Sequence, residues 1–165
     1  MKKRFPLIAA LLVSLPVVSA LAYLITPWSY HDLFAKSDFV AIASPVTRPR
    51  DTSERLTLRD ITPPVPVVGV TTEFETLFVL KGPKLRRFKL HHYREANPSK
   101  GVVMGGPVLV TFEPPTRDKD GTLVSAKRFL LFLVRESDGR FAPISGQKDP
   151  GEISVQEISG VTVDE

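Results

Sequence analysis

The chain has 165 residues, no cysteine and a formal charge of +4, from 22 Lys and Arg against 18 Asp and Glu. That length suits one domain with a self-supporting core, and 42% hydrophobic with 24% charged residues excludes a disordered chain. Without cysteine there is no disulfide framework, thiolate metal site, thiol nucleophile or lipidated cysteine.

Residues 1–22, MKKRFPLIAALLVSLPVVSALA, place three cations before an apolar run from Leu7 to Val18, with small residues after it. This is the order of a secretory signal peptide, and cleavage after Ala20 or Ala22 fits equally well. The competing reading is an uncleaved anchor over Phe5 to Ile25, close to the ~20 residues a spanning helix needs. Pro6, Ser14, Pro16 and Ser19 weaken that reading. Either way, residues 23–165 are expected as a single domain outside the cytoplasm: periplasmic, cell-surface or secreted. Taking Lys2, Lys3 and Arg4 from the 22 cations leaves 19 against 18 anions. A near-neutral domain has no whole-molecule attraction for nucleic acid or an anionic membrane.

Trp28 to Lys36 reads as one short helix, with Ser29 as its cap and Leu33 and Phe34 toward the core. Phe39 to Val46 is a first strand, frayed at Pro45. Thr47 to Gly69 reads as a long polar connection, stiffened by Pro63-Pro64-Val65-Pro66. Leu56-Thr57-Leu58 is a candidate hairpin arm within it. Val70 to Lys81 is a strong strand whose alternation puts Phe74, Thr76, Phe78 and Leu80 on one face. Gly82-Pro83 turns the chain into a strand over Leu85 to Arg94, with Phe88, Leu90 and His92 on one face and Arg87, Lys89, His91 and Tyr93 on the other.

A turn-rich loop leads to a strand over Pro107 to Glu113, with Val108, Val110 and Phe112 inward, and then to a charged turn over Pro114 to Thr122. Lys127 to Glu136 is apolar on both faces, so each face needs a cover. The helix with Leu33 and Phe34 and the tail with Ile153, Val155 and Ile158 are the segments left to provide the outer one. Ser137-Asp138-Gly139 makes a tight turn into a short strand over Arg140 to Ile144, and Ile153 to Ile158 is a final strand or covering segment. The sum is an all-β domain with one short helix: an OB-like, partly closed antiparallel barrel of five to six strands. Its expected core is Phe74, Phe78, Phe88, Val110, Phe129 and Leu131.

The runs AKSDFVAIASPV, TEFETLFVLKG and RFLLFLVRESDGRFAPISGQ resemble small exported bacterial proteins and the OB-type barrel of tissue inhibitors of metalloproteinases and netrin-like modules. PPVPVVGVTTEFE, LHHYRE and SGQKDPG are similar to exported proteins of planctomycete-type bacteria. The resemblance spans residues 33–158. It implies a barrel but carries over no activity, because the inhibitors chelate a protease zinc through an N-terminal cysteine and this chain has none.

His91, His92, Tyr93 and Arg94 form the most suggestive local cluster and are the expected ligand-binding residues. The histidines point to opposite strand faces, so they do not jointly grip one metal. The bland reading makes His92 a hydrogen-bonded core residue. The basic run Lys81, Lys84, Arg86, Arg87, Lys89 and Arg94 would attract a polyanion, or else pair with Glu73 and Glu75 across a hairpin. Gly-x-Ser-x-Gly, His-Glu-x-x-His and phosphate-cradling glycine loops are all missing from the sequence. The expectation is therefore a non-enzymatic binding or accessory module with no metal or cofactor. Its partner would be an envelope or extracellular protein or a glycan, not nucleic acid, and an uncleaved N-terminal segment would be its one route to a membrane. The alternatives are a protease inhibitor acting through 47–69 and, ranked lower, a hydrolase using His91 or His92.

Overall fold

A computed structural model describes residues 28–59, 64–97, 109–113, 116–121, 123–125, 127–146 and 153–158. The expected signal segment, Val108 and most of the turn-rich loop ahead of it lie outside them. Helix α1 (Tyr30–Lys36) is followed by β1 (Phe39–Pro45), β2 (Arg50–Leu58), β3 (Val65–Lys81) and β4 (Arg87–Glu95). Then come a small hairpin of β5 (Thr116–Arg117) and β6 (Leu123–Ser125), and strands β7 (Arg128–Arg135), β8 (Phe141–Pro143) and β9 (Val155–Ile158).

Five of these strands close a barrel in the order β1-β3-β4-β8-β7, with β7 returning to β1. Strand β2 is added to β3 and β9 to β7. The expected OB-like barrel is present, but it is fully closed, and mixed rather than antiparallel. The tight turn after β7 sends β8 back beside β4 in the same direction, with Leu90 opposite Phe141, and that one parallel pairing shuts the gap.

Strand β2 is the largest departure from expectation. The stretch 47–69, read as a polar connection, is mostly strand, because Arg50–Leu58 pairs antiparallel with Val65–Thr71. Its alternating exposure shows an edge strand that buries little, so the sequence carries no apolar signal there. Residues 109–113, expected as part of a strand, form no long ladder, although Val110 and Phe112 are buried as anticipated. The charged turn over 114–122 lies partly within the β5–β6 hairpin.

The barrel is filled by aromatic side chains. Phe39, Phe74, Phe88, Phe112, Phe129 and Phe141 pack ring against ring at centroid distances of 4.9–6.3 Å, together with Leu90, Leu131 and Leu133. Phe78 is the exception among the expected core residues, being 65% exposed. Ala43 pairs with Thr76 and Ile42 with Phe78, which leaves Leu77 as an extra residue in β3. One extra residue inverts the alternation, so Phe78 joins Ile42 on the outside while Val79 returns to the core side opposite Ala41. Phe78→Ala is therefore expected to cost less than ~1 kcal/mol in denaturant titration, as for exposed positions generally. A loss of ~3 kcal/mol, the size expected for a buried ring, would place the side chain inside.

Outside the barrel, Leu33, Val40 and Phe132 form a second cluster with Leu130, Ile144 and Ile153 around it. The outer face of β7 thus receives both expected covers, the helix through Leu33 and the tail through Ile153, whereas Val155 of the tail turns into the barrel core. Ser29 Oγ accepts from Asp32 N at 3.1 Å at the start of α1, satisfying an otherwise free helix donor. Ser37 Oγ donates to Leu33 O at 2.7 Å at its end. Phe34, expected inward with Leu33, is exposed, since a seven-residue helix lying on a sheet buries only a narrow stripe. The chain passes from β3 to β4 over Gly82, whose φ is +93° and where a Cβ would stand 2.4 Å from Asp38 O. Only glycine fits both conditions.

Candidate functional site

The β2 arm reaches the barrel wall through a bulge. Asp51 pairs with Val70 and Arg55 with Val68, so Thr52, Ser53 and Glu54 together stand opposite Gly69. Thr52 Oγ1 donates to Gly69 O at 3.0 Å and accepts from Glu54 N at 3.2 Å. A Cβ on residue 69 would lie 2.6 Å from Thr52 Oγ1 and 2.9 Å from Glu54 Cβ. The missing side chain is what lets the bulge settle.

Glu54 is thereby laid over the outer face of β4, where His91 and Tyr93 sit side by side with ring centroids 5.0 Å apart. Tyr93 Oη donates to Glu54 Oε1, and Glu54 Oε2 lies 3.1 Å from His91 Nε2, close but not aligned as a hydrogen bond. On the other side of the ring, His91 Nδ1 meets Glu136 Oε1 at 2.8 Å and Oε2 at 3.0 Å. A carboxylate only accepts, so Nδ1 carries the proton. Arg140 Nε closes the chain, 3.3 Å from Glu136 Oε2 and 2.6 Å from Asp138 Oδ2. Burial and then the Glu54 carboxylate push the Tyr93 phenol well above its ordinary value, so it remains a donor.

The four expected site residues part company here. His91 and Tyr93 converge, with Glu54, Glu136 and Arg140 from distant segments as partners. His92 points into the barrel: Nδ1 donates to Val110 O at 3.0 Å, Nε2 lies 2.8 Å from Thr72 Oγ1, and Phe112 meets the ring edge-on at 5.0 Å. With Nδ1 donating, Nε2 receives the threonine hydroxyl, and the neutral ring is fully satisfied. Burial drives its pKa down to about 4. Arg94 lies apart, bidentate to Asp51 through Nε at 2.9 Å and a terminal nitrogen at 2.5 Å.

Beside the His91 network lies a cleft of about 720 Å³. Its walls come from the β2 bulge, the start of β4, and the β7–β8 turn. It is lined by Arg87, Lys89, Arg135 and Arg140 against Glu54 and Asp138, with Leu85, Phe88 and Phe141 as its apolar part. Arg87 reaches Glu75 only at 3.9 Å and Glu73 at 4.0 Å. These contacts, with Arg86 3.4 Å from Glu75, are the cross-strand pairing expected of the basic run. Lys89 and Arg135 make no side-chain ion pair among the described residues. Among those residues no three His, Cys, Asp or Glu side chains gather to hold a metal. Sequence reasoning missed Glu54, Glu136 and Arg140 as partners of His91. The tight turn at 137–139 was legible and hinted at the last two.

No family model, curated protein or solved structure matches this chain. The likeness to OB-type modules therefore rests on the barrel itself.

Proposed function

We propose that the chain is an exported, non-enzymatic binding module whose seat is the cleft between β2, β4 and the β7–β8 turn, and that its ligand is a carboxylate-bearing protein segment or glycan of the envelope or extracellular space. One observation carries the reading: four cations face two carboxylates in that cleft, and the side chains of Lys89 and Arg135 make no ion pair among the described residues. Cations left unpaired beside a low-dielectric wall attract an anion more strongly than the same charges on an open surface. The leucine and two phenylalanines give the ligand an apolar surface to cover.

The His91 network supports binding over hydrolysis. The ring is 2% exposed, and a carboxylate flanks each nitrogen, so no face of it is open to a substrate proton. Its role is to tie the β2 arm to β4 and the β7–β8 turn, and so to keep the cleft walls in place.

Titration with an acidic peptide and with a polyuronate, at low and at high salt, tests the reading. Arg135→Glu is expected to weaken binding about tenfold at low salt, the scale of one close charge contact. Arg94→Glu, outside the cleft, serves as the control. Equal binding by Arg135→Glu and the unaltered protein would remove the cleft as the seat.

A further inference from the structure

The inverted alternation of β3 has an outcome far from the cleft. Beyond the Leu77 bulge, Phe78 and Leu80 stand 65% and 51% exposed. Helix α1 exposes Tyr30 and Phe34, and Trp28 stands just ahead of it; the Tyr30 hydroxyl donates to Gln156 Oε1 at 2.9 Å and its ring lies 6.1 Å from Phe132. Lys81 joins the two elements: its Nζ donates to Phe34 O at 2.6 Å and Ala35 O at 2.9 Å and lies 5.4 Å from the Phe34 ring centre. Lys36 Nζ sits 4.3 Å over the Trp28 ring. Five large apolar or aromatic side chains are thus interleaved with lysines, and Lys84 follows in the next turn.

An exposed patch of this kind needs an occupant, and two features identify it. Aromatic rings with polar edges, mixed with lysines on long stems, suit the boundary between hydrocarbon and headgroups. The sequence also enters Trp28 directly from 23 residues, Phe5 to Pro27, without one charged side chain. We infer that residues 5–27 remain in the bilayer as the uncleaved anchor, and that this patch, Trp28, Tyr30, Phe34, Phe78 and Leu80 with Lys36, Lys81 and Lys84, rests on the lipid surface beside them. Lysines at the rim meet anionic headgroups there, a local attraction that the near-zero charge of the whole domain does not provide. The inference concerns a different face from the cleft and stands or falls independently of it.

Trp28 is the only tryptophan, so the reporter can be moved. In the full chain carrying Trp28→Phe, Phe78→Trp places an indole on the patch at a position already exposed. Leu58→Trp, at the far end of the β2–β3 ladder opposite Val65, is the reference. Both are reconstituted into vesicles of mixed phosphatidylcholine and phosphatidylglycerol, and unfolding curves confirm that each variant folds. The expected result is blue-shifted Phe78→Trp emission, reduced by about half when the acyl chains are brominated, with Leu58→Trp unaffected and a weaker effect in phosphatidylcholine alone. Water-like, unquenched emission from Phe78→Trp would overturn the inference and leave a protein partner as occupant of the patch. Equal quenching at both positions would overturn it too, because the contact would not be specific to this face.

Discussion

Phe74→Ala is expected to lower the unfolding free energy by about 3–5 kcal/mol, the range for removing a fully buried ring. Phe74 is 0% exposed, stacks on Phe88 at 5.5 Å, and meets Phe112 edge-on at 4.9 Å and Phe129 at 6.3 Å. Its removal would strand three other rings around a void that a closed barrel has little freedom to collapse. Domains of this size are stable by ~5–15 kcal/mol, so a large fraction of molecules would be near unfolding at modest denaturant. Urea titration of the two proteins, with equal slopes, measures the difference. A loss below ~1 kcal/mol would mean that the aromatic cluster does not hold the barrel together.

A second large effect follows from His92. Its pKa is near 4 in the folded protein, against about 6.5 in an unfolded chain. Between these values the unfolded state binds a proton that the folded state refuses. Stability is therefore complete above about pH 7 and falls as the pH drops toward 4. The full span corresponds to about 3 kcal/mol at ~1.4 kcal/mol per unit. Carboxylates also titrate in this range, so the comparison is with His92→Gln, which keeps a donor and an acceptor but no titration. The unaltered protein is expected to lose about 3 kcal/mol more than His92→Gln between pH 7 and pH 4. Parallel pH profiles for the two proteins would show that His92 is not the buried neutral group the geometry makes it.

The fold was legible wherever apolar residues marked the buried face or faces of a strand. Phe88 and Leu90, the doubly apolar β7 and the tight turn into β8 stand as the alternation of side chains required. Three features had no such signal. Strand β2 is a polar edge whose pairing, not its composition, makes it a strand. The Leu77 bulge costs one residue of register and moves Phe78 from the inside to the outside, and no local pattern marks it. The parallel pairing of β4 with β8 joins segments that share no turn. The candidate site shows the same division. The HHYR run pointed to His91 and Tyr93, and the opposite orientation of His92 followed from strand geometry. The partners that give His91 its surroundings, Glu54 and Glu136, lie 37 and 45 residues away in sequence, one on the strand that could not be read.

The closure of the barrel has a consequence for timing. Strand β1 needs β3 on one edge and β7 on the other, and β4 stays open on one side until Phe141 arrives. The β2–β3–β4 sheet can pair as soon as residues 50–95 are made, but no shorter stretch contains the closed ring, and the distant β1–β7 and β4–β8 pairings raise the contact order and slow its completion. A polypeptide that is still open when most of it has left the ribosome can be threaded through a narrow pore. Among the strands of the closed ring, β7 and β8 come last, and the short β8, Phe141–Pro143, is the latch.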